Sequence, residues 1–115
     1  MSYDDKLKEL KINLPEAKAP VGNYVATKVS GKMLFISGQI SIDETGQLIK
    51  GNVGKDLDTD AGYNAAKRCA LSIIAQVKKA CGNDLSKVKS CVKLTGFVNS
   101  TYEFIYQPKV LNGAS

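Results

Sequence analysis

The order of the predicted elements indicates an α+β or α/β layer in which one sheet carries helices on one face. Two β-prone runs come first, a long segment of helical periodicity follows, and a third β-prone run comes after it. A strand pair, a long crossover helix and a further strand are the parts of such a layer. With 115 residues, of which 43% are hydrophobic, we expect residues 1–115 to form a single domain with one core.

Residues 1–20 are predicted to be a short N-terminal helix and a connector. The first ten residues hold a capping residue, two early acids and two leucines three positions apart (Ser2, Asp4, Asp5, Leu7 and Leu10). This pattern is typical of a capped helix start. The helix should end before Pro15, and the proline-containing stretch up to Pro20 should cross the surface as a connector.

The next elements are a hairpin and a turn. Residues 24–29 and 33–36 are rich in β-prone side chains, and Ser-Gly-Lys separates them. Gly31 can supply the positive φ that a tight reversal needs, so the two runs should pair as antiparallel strands. Residues 43–46, Asp-Glu-Thr-Gly, mark a further turn.

The long segment 58–81 is predicted to be an amphipathic helix. Its apolar stripe recurs every four residues (Ala61, Ala65, Cys69, Ile73 and Val77). Gly82 suits the position just past a helix C-terminus, and Lys78 and Lys79 suit the negative end of the helix dipole.

A third strand is predicted over 88–98, with alternating side chains on two faces. The expected core face holds Val88, Val92, Leu94 and Val98. After it, residues 102–115 contain Pro108 and read as the start of a helix that is cut short. A sheet of about three strands with one long helix would leave a long open edge, so we expect a missing C-terminal part.

Composition excludes several classes of function. The chain has no histidine, which excludes Ser-His-Asp and Cys-His nucleophilic sites. Its three cysteines lack metal-ligand spacing, so we expect buried thiols and no metal site. The net charge of +5 comes from scattered lysines, and Arg68 is the one arginine, which does not favour a nucleic-acid partner. No run reaches the roughly 18 apolar residues of a membrane span, so a soluble cytoplasmic chain without a membrane partner is expected.

The run Phe-Ile-Ser-Gly-Gln, residues 35–39, ends a hydrophobic strand on small and polar residues. Gly38 would let a ligand approach the main chain, while Ser37 and Gln39 would bring polar groups to an apolar wall. The structural alternative is a bulge or a close helix contact at Gly38.

Read in order, three motifs resemble one family along nearly the whole chain. They are Pro-Val-Gly-Asn-Tyr at 20–24, Phe-Ile-Ser-Gly-Gln-Ile at 35–40, and Val-Lys-Leu-Thr-Gly-Phe-Val at 92–98. This order is similar to the YjgF or RidA family, the reactive intermediate (imine) deaminases, in its longer branch. The resemblance implies an α+β, chorismate-mutase-like fold, a homotrimer with ligand sites between subunits, and no cofactor. It also implies hydrolysis of 2-iminobutanoate and 2-iminopropanoate to 2-keto acids and ammonia, with the imine or keto acid as ligand.

The resemblance also implies roles for individual residues whose positions match the family's pocket. Tyr24 matches the family's pocket tyrosine and is the expected catalytic residue, which orients substrate or water. Ser37, Gly38 and Gln39 match the strand that lines the cleft, and Asn112 matches the pocket asparagine; these four are the expected substrate-binding residues.

The chain departs from the family in one important respect. The family's carboxylate-clamping arginine lies in a later motif that these residues do not contain. Arg68 lies beside the apolar stripe of the predicted helix, so we expect it to point to water. Without a clamp, the 115-residue chain should hydrolyse imines negligibly. The alternatives are a non-catalytic regulatory trimer that binds small carboxylates, and an endoribonuclease or translation inhibitor, which the weak basic patch does not favour.

Overall fold

A hairpin and helices make up the computed structural model, which describes residues 2–115. Within that range the regular elements, in chain order, are helix α1 (Tyr3–Glu9), strands β1 (Thr27–Ser30) and β2 (Met33–Ile36), helix α2 (Thr59–Ala80), a short 3₁₀ helix (Leu85–Lys87) and helix α3 (Gln107–Leu111). These elements confirm the α+β class. They group into two compact units: unit 1 contains residues 2–38 and 72–90, and unit 2 contains residues 39–71 and 91–115. The single domain expected from the sequence stays a prediction.

In unit 1, α1 starts with the capped end that the sequence predicts, in the form of a capping box. The Asp5 amide donates to the Ser2 hydroxyl at 3.1 Å, and the Ser2 amide donates to the Asp5 carboxylate at 3.4 Å. These bonds lower the pKa of Asp5. Two contacts hold the start of the helix: Lys78 Nζ lies 3.0 Å from Asp4 Oδ1, and the Tyr3 hydroxyl donates to the Lys89 carbonyl at 3.3 Å.

The β1–β2 hairpin is antiparallel and tightly closed, as predicted. The register pairs Thr27 with Ile36 and Ser30 with Met33. The two residues between the strands make the turn, and Gly31 takes a φ of +59°, which glycine adopts without steric cost.

Helix α2 has the stop that the sequence predicts, and the structure adds a cap at its start. The Ala61 amide donates to the Asp58 carboxylate at 2.7 Å, which satisfies one of the free donors of the first turn. After the last turn Gly82 has a φ of +65°, the left-handed conformation usual just past a helix. Inside unit 2, the first half of α2 packs through Gly62 against the buried Val53 and Val110.

The predicted strand over 88–98 is wrong: the structure assigns no strand there. An isolated parallel bridge follows it, where the Val53 amide donates to the Asn99 carbonyl at 2.9 Å and the Thr101 amide donates to the Val53 carbonyl at 3.0 Å. The middle of the expected core face is also uncovered, because Val92 is 72% exposed and Leu94 is 42% exposed. Alternation tells which residues share a face, but a strand also needs a hydrogen-bonded neighbour, which sequence periodicity does not provide.

The expectation of three buried thiols is likewise wrong. Cys91 lies in that same uncovered segment and is exposed, while Cys69 and Cys81 are half-buried. Partial burial of Cys69 disfavours its thiolate and raises its pKa.

Candidate functional site

Tyr24 lies in a bend just before β1, with its side chain 53% exposed. Its ring is placed beside the backbone of Gly22: a Cβ added at Gly22 would lie 3.1 Å from Tyr24 Cε1. The sequence Gly-Asn-Tyr therefore lets the ring fold back over the preceding bend. This position leaves the phenol accessible to a ligand.

Ser37 extends the hairpin by one residue pair beyond the regular strands. Its amide donates to the Ala26 carbonyl at 2.9 Å and its hydroxyl donates to the same oxygen at 3.2 Å. Since Tyr24 is two residues before Ala26, this pairing brings Tyr24, Ser37 and Gly38 to the same end of the hairpin. We call these three residues the Tyr24 surface.

Gly38 faces open space. A Cβ built at this position meets no atom within 4 Å. The structural alternative, a close helix contact at Gly38, is therefore wrong for the described residues. The glycine leaves the main chain approachable, as a ligand-binding strand end requires.

The other two expected binding residues belong to unit 2. Gln39 follows directly on Gly38 and is half-buried. Asn112 is exposed and forms the C-cap of α3, where its amide donates to the Pro108 carbonyl at 3.0 Å. Asn112 thus lies directly after helix α3. The binding roles of all five residues stay predictions.

Arg68 does not point to water, which corrects the expectation from the helical stripe. Its side chain is only 14% exposed, and Nε donates to the Ile42 carbonyl at 2.7 Å. Nη1 lies 3.7 Å from Glu44, whose carboxylate is largely in solvent, so this ion pair contributes little. The long arginine reaches across to the 41–49 turn of unit 2, a contact that helical periodicity alone does not show.

The turn that Arg68 supports is organised by Asp43. The Asp43 carboxylate accepts from the Thr45 hydroxyl at 2.6 Å and from the Gln47 amide at 3.0 Å. These hydrogen bonds, led by that of Thr45, lower the pKa of Asp43, and the charge of Arg68 adds a smaller effect. Both side chains thus support the turn, and the Nε donor of Arg68 is used there.

Sequence reasoning missed one buried polar side chain in unit 1. Gln76 is 3% exposed, and its Nε2 donates to the carbonyl of Lys18 at 2.7 Å. The signal in the sequence is an amide placed between Ala75 and Val77, inside an otherwise apolar stretch. Such a side chain is retained in a core only when it is hydrogen-bonded.

Residues 2–115 contain no cluster of three or more histidine, cysteine, aspartate or glutamate side chains that could hold a metal ion. Over the same range, no helix has both the length and the apolar character needed to cross a bilayer.

A family model described as "YjgF/chorismate mutase-like, putative endoribonuclease" matches residues 4–115. The chain belongs to this family. Its YjgF-like fold is confirmed by a crystal structure of a "putative endoribonuclease" from Shewanella oneidensis, which it matches with a TM-score of 0.93 and 36% identity over 99% of this chain and 75% of that one.

Two curated relatives are similar to the chain over most of its length. The chain is 44% identical to Protein TCP17 of Trypanosoma cruzi, over 95% of this chain and 68% of that protein. It is 31% identical to the 2-iminobutanoate/2-iminopropanoate deaminase of Rattus norvegicus, over 84% of this chain and 68% of the rat protein. The chain thus spans about two thirds of the length of these relatives.

Proposed function

We propose that the chain acts in the hydrolysis of 2-iminobutanoate and 2-iminopropanoate to 2-keto acids and ammonia. The observation that carries this proposal is the 31% identity to a rat relative of that name, within a shared family. An endoribonuclease name also occurs in the family, but the scattered lysines of this chain give no dense basic face for RNA. Deamination is therefore the function we prefer.

The Tyr24 surface can supply part of this chemistry. Water adds to the imine carbon, and the carbon–nitrogen bond then breaks to release ammonia and the keto acid. In our proposal the accessible Tyr24 hydroxyl orients the water or the substrate, and the open main chain at Gly38 holds the flat substrate. The hydroxyl of Ser37 donates to Ala26, so Ser37 maintains the strand end and does not act as a nucleophile.

Of the interactions that the reaction needs, binding of the substrate carboxylate is the one that these residues support least. Arg68 is already bound to the Ile42 carbonyl. Arg68 is the one arginine among the 115 residues, so a substrate carboxylate lacks one charge-assisted hydrogen bond here, which would contribute about 1.5–3 kcal/mol, or roughly 10- to 100-fold in rate. We include in the proposal the binding roles of Gln39 and Asn112, a homotrimeric active form, and a cytoplasmic location.

The test couples the 115-residue chain to a threonine dehydratase and measures 2-ketobutyrate release, with the rat deaminase assayed beside it. We expect slow 2-ketobutyrate release, above the uncatalysed rate but well below that of the rat enzyme, together with binding of 2-ketobutyrate that Tyr24→Phe weakens. Turnover equal to that of the rat enzyme would refute the clamp argument. Absence of both binding and turnover, or cleavage of RNA by the same preparation, would refute the proposed function.

Two variants make the test specific. Tyr102→Phe removes the same hydroxyl from a fully exposed side chain and should change nothing. Gly38→Ala adds a methyl group where no atom lies within 4 Å, so it should leave stability unchanged but weaken binding of 2-ketobutyrate. If Gly38→Ala binds the keto acid as well as the wild type, the ligand does not approach the main chain there.

A further inference from the structure

A second groove in unit 1, separate in composition from the Tyr24 surface, combines polar and apolar walls. Its volume is about 320 Å³, and it is lined by Val25, Ala26, Thr27, Gln76, Lys79 and Ala80. We call it the Gln76 groove. Gln76, Lys79 and Ala80 are spaced i, i+3 and i+4 on α2, so they share one face of the helix. That face lines the groove together with Val25, Ala26 and Thr27, which lead into β1.

Gln76 gives this groove a fixed hydrogen-bond acceptor. The side chain is 97% removed from solvent, since its exposure is 3%. Its Nε2 is held by the Lys18 carbonyl at 2.7 Å, which fixes the plane of the amide. Among residues 2–115 no group donates to its Oε1, and that oxygen is not sealed from solvent. A buried amide with an open acceptor needs a donor from a ligand or from water.

The end of α2 supplies further recognition groups. The amides of residues 81–84 bond to the carbonyls of Val77, Lys79, Lys78 and Cys81. The Ala80 carbonyl is left without a hydrogen bond among the described residues. Carbonyls at a helix C-terminus carry partial negative charge and favour a cation. Lys79 is exposed and forms no ion pair within residues 2–115, so its ammonium is available to an anion.

We propose that the Gln76 groove binds a small aliphatic α-amino acid. The ligand carboxylate pairs with Lys79, the ligand ammonium donates to Gln76 Oε1 and the Ala80 carbonyl, and the side chain rests on Val25 and Ala26. A phosphate is a poorer occupant, because a single lysine at the negative end of a helix dipole does not balance two charges.

The experiment titrates the 115-residue chain with L-2-aminobutyrate, followed by two-dimensional NMR of the Gln76 side-chain amide. Butyrate, which lacks the ammonium, and propylamine, which lacks the carboxylate, are titrated in parallel. We expect saturable binding of the amino acid and at least about tenfold weaker binding of each analogue, because each loses a charged hydrogen bond. Equal binding of butyrate, or no binding of the amino acid, would overturn the proposal.

Variants locate the site. Lys79→Met should weaken binding at least about tenfold, whereas Lys87→Met, on the 3₁₀ helix, should not. Lys79 also borders a neighbouring groove of about 330 Å³ that includes Asn83 but not Gln76. Asn83→Gly, tolerated at its φ of +66°, should therefore leave affinity unchanged. Binding that survives Lys79→Met, or that Asn83→Gly abolishes, refutes the site.

The same titration separates this site from the proposed function. Tyr24→Phe should leave the affinity for L-2-aminobutyrate unchanged, whatever it does to 2-ketobutyrate. If Tyr24→Phe abolishes amino-acid binding, the ligand lies on the Tyr24 surface and the groove proposal is wrong. The test involves no imine, so a failure of the deaminase proposal does not affect it.

Discussion

Gly113 follows helix α3 at a point where the chain touches the backbone of α2 within unit 2. A Cβ built on Gly113 would overlap the carbonyl oxygen of Tyr63 and lie 2.8 Å from its carbonyl carbon. A backbone carbonyl inside a helix cannot rotate away as a side chain can. Gly113→Ala can therefore be accommodated only if the turn after α3 moves off α2.

That movement has a cost that follows from the packing. Val110 is 4% exposed, and its methyl groups lie near Gly62 of α2. Loosening a buried valine forfeits part of the 1.5–3 kcal/mol that its burial contributes, and overpacking costs about 1–3 kcal/mol. We expect Gly113→Ala to lower the free energy of unfolding by about 2–3 kcal/mol, or the melting temperature by roughly 10 °C.

Urea unfolding followed by circular dichroism measures this loss. Two other glycine-to-alanine variants calibrate it. At Gly96 the added methyl group would meet the side chain of Leu111, which can change rotamer, so a smaller loss of about 1 kcal/mol is expected. At Gly38 it meets nothing within 4 Å, so stability should stay within about 0.5 kcal/mol. A Gly113→Ala variant as stable as Gly38→Ala would refute the close approach of the two backbones.

Three further variants test single contacts by thermal unfolding. Asp58→Ala removes the cap of α2 and should cost about 1 kcal/mol, while Asp58→Ser should retain most of it; equal losses would contradict the capping role. Arg68→Met leaves the Ile42 carbonyl without its donor and should cost about 1–3 kcal/mol, and an unchanged melting temperature would show that this bond is not formed in solution. Because folding lowers the pKa of Asp43, its carboxylate contributes to the free energy of unfolding. This contribution is fully present when the pH is above the ordinary aspartate pKa of 3.8, and it is lost as the pH falls through the lower pKa of the folded state. Wild type should therefore lose more stability than Asp43→Asn as the pH falls below about 4, and parallel curves would contradict this.

Local chemistry made several elements predictable. The capping box at Ser2, the glycine turn at Gly31 and the four-residue stripe of α2 depend on residues close together in the chain. Each is a local preference of backbone and side chain, so the sequence contains nearly all the information needed. The motif that ends β2 also indicated a strand end approachable at Gly38, and the open space there agrees.

Contacts between distant segments were not predictable in the same way. Arg68 was expected in water but binds the Ile42 carbonyl, 26 residues away. Gln76 binds Lys18, 58 residues away, and this contact fixes the amide of the groove. A long polar side chain can hydrogen-bond either to water or to a distant carbonyl, and the sequence of its own helix does not show which of the two it binds.

The sequence by itself determined helices α1 and α2, the hairpin and the family, because caps, turns, periodicity and a motif order act over short stretches of chain. Tertiary structure alone decided that residues 88–98 form no strand, that Arg68 is committed to a turn, and that Gln76 borders a groove. The physical reason is that pairing and burial depend on which distant segment arrives as a neighbour, and a run of alternating or apolar residues does not specify that neighbour.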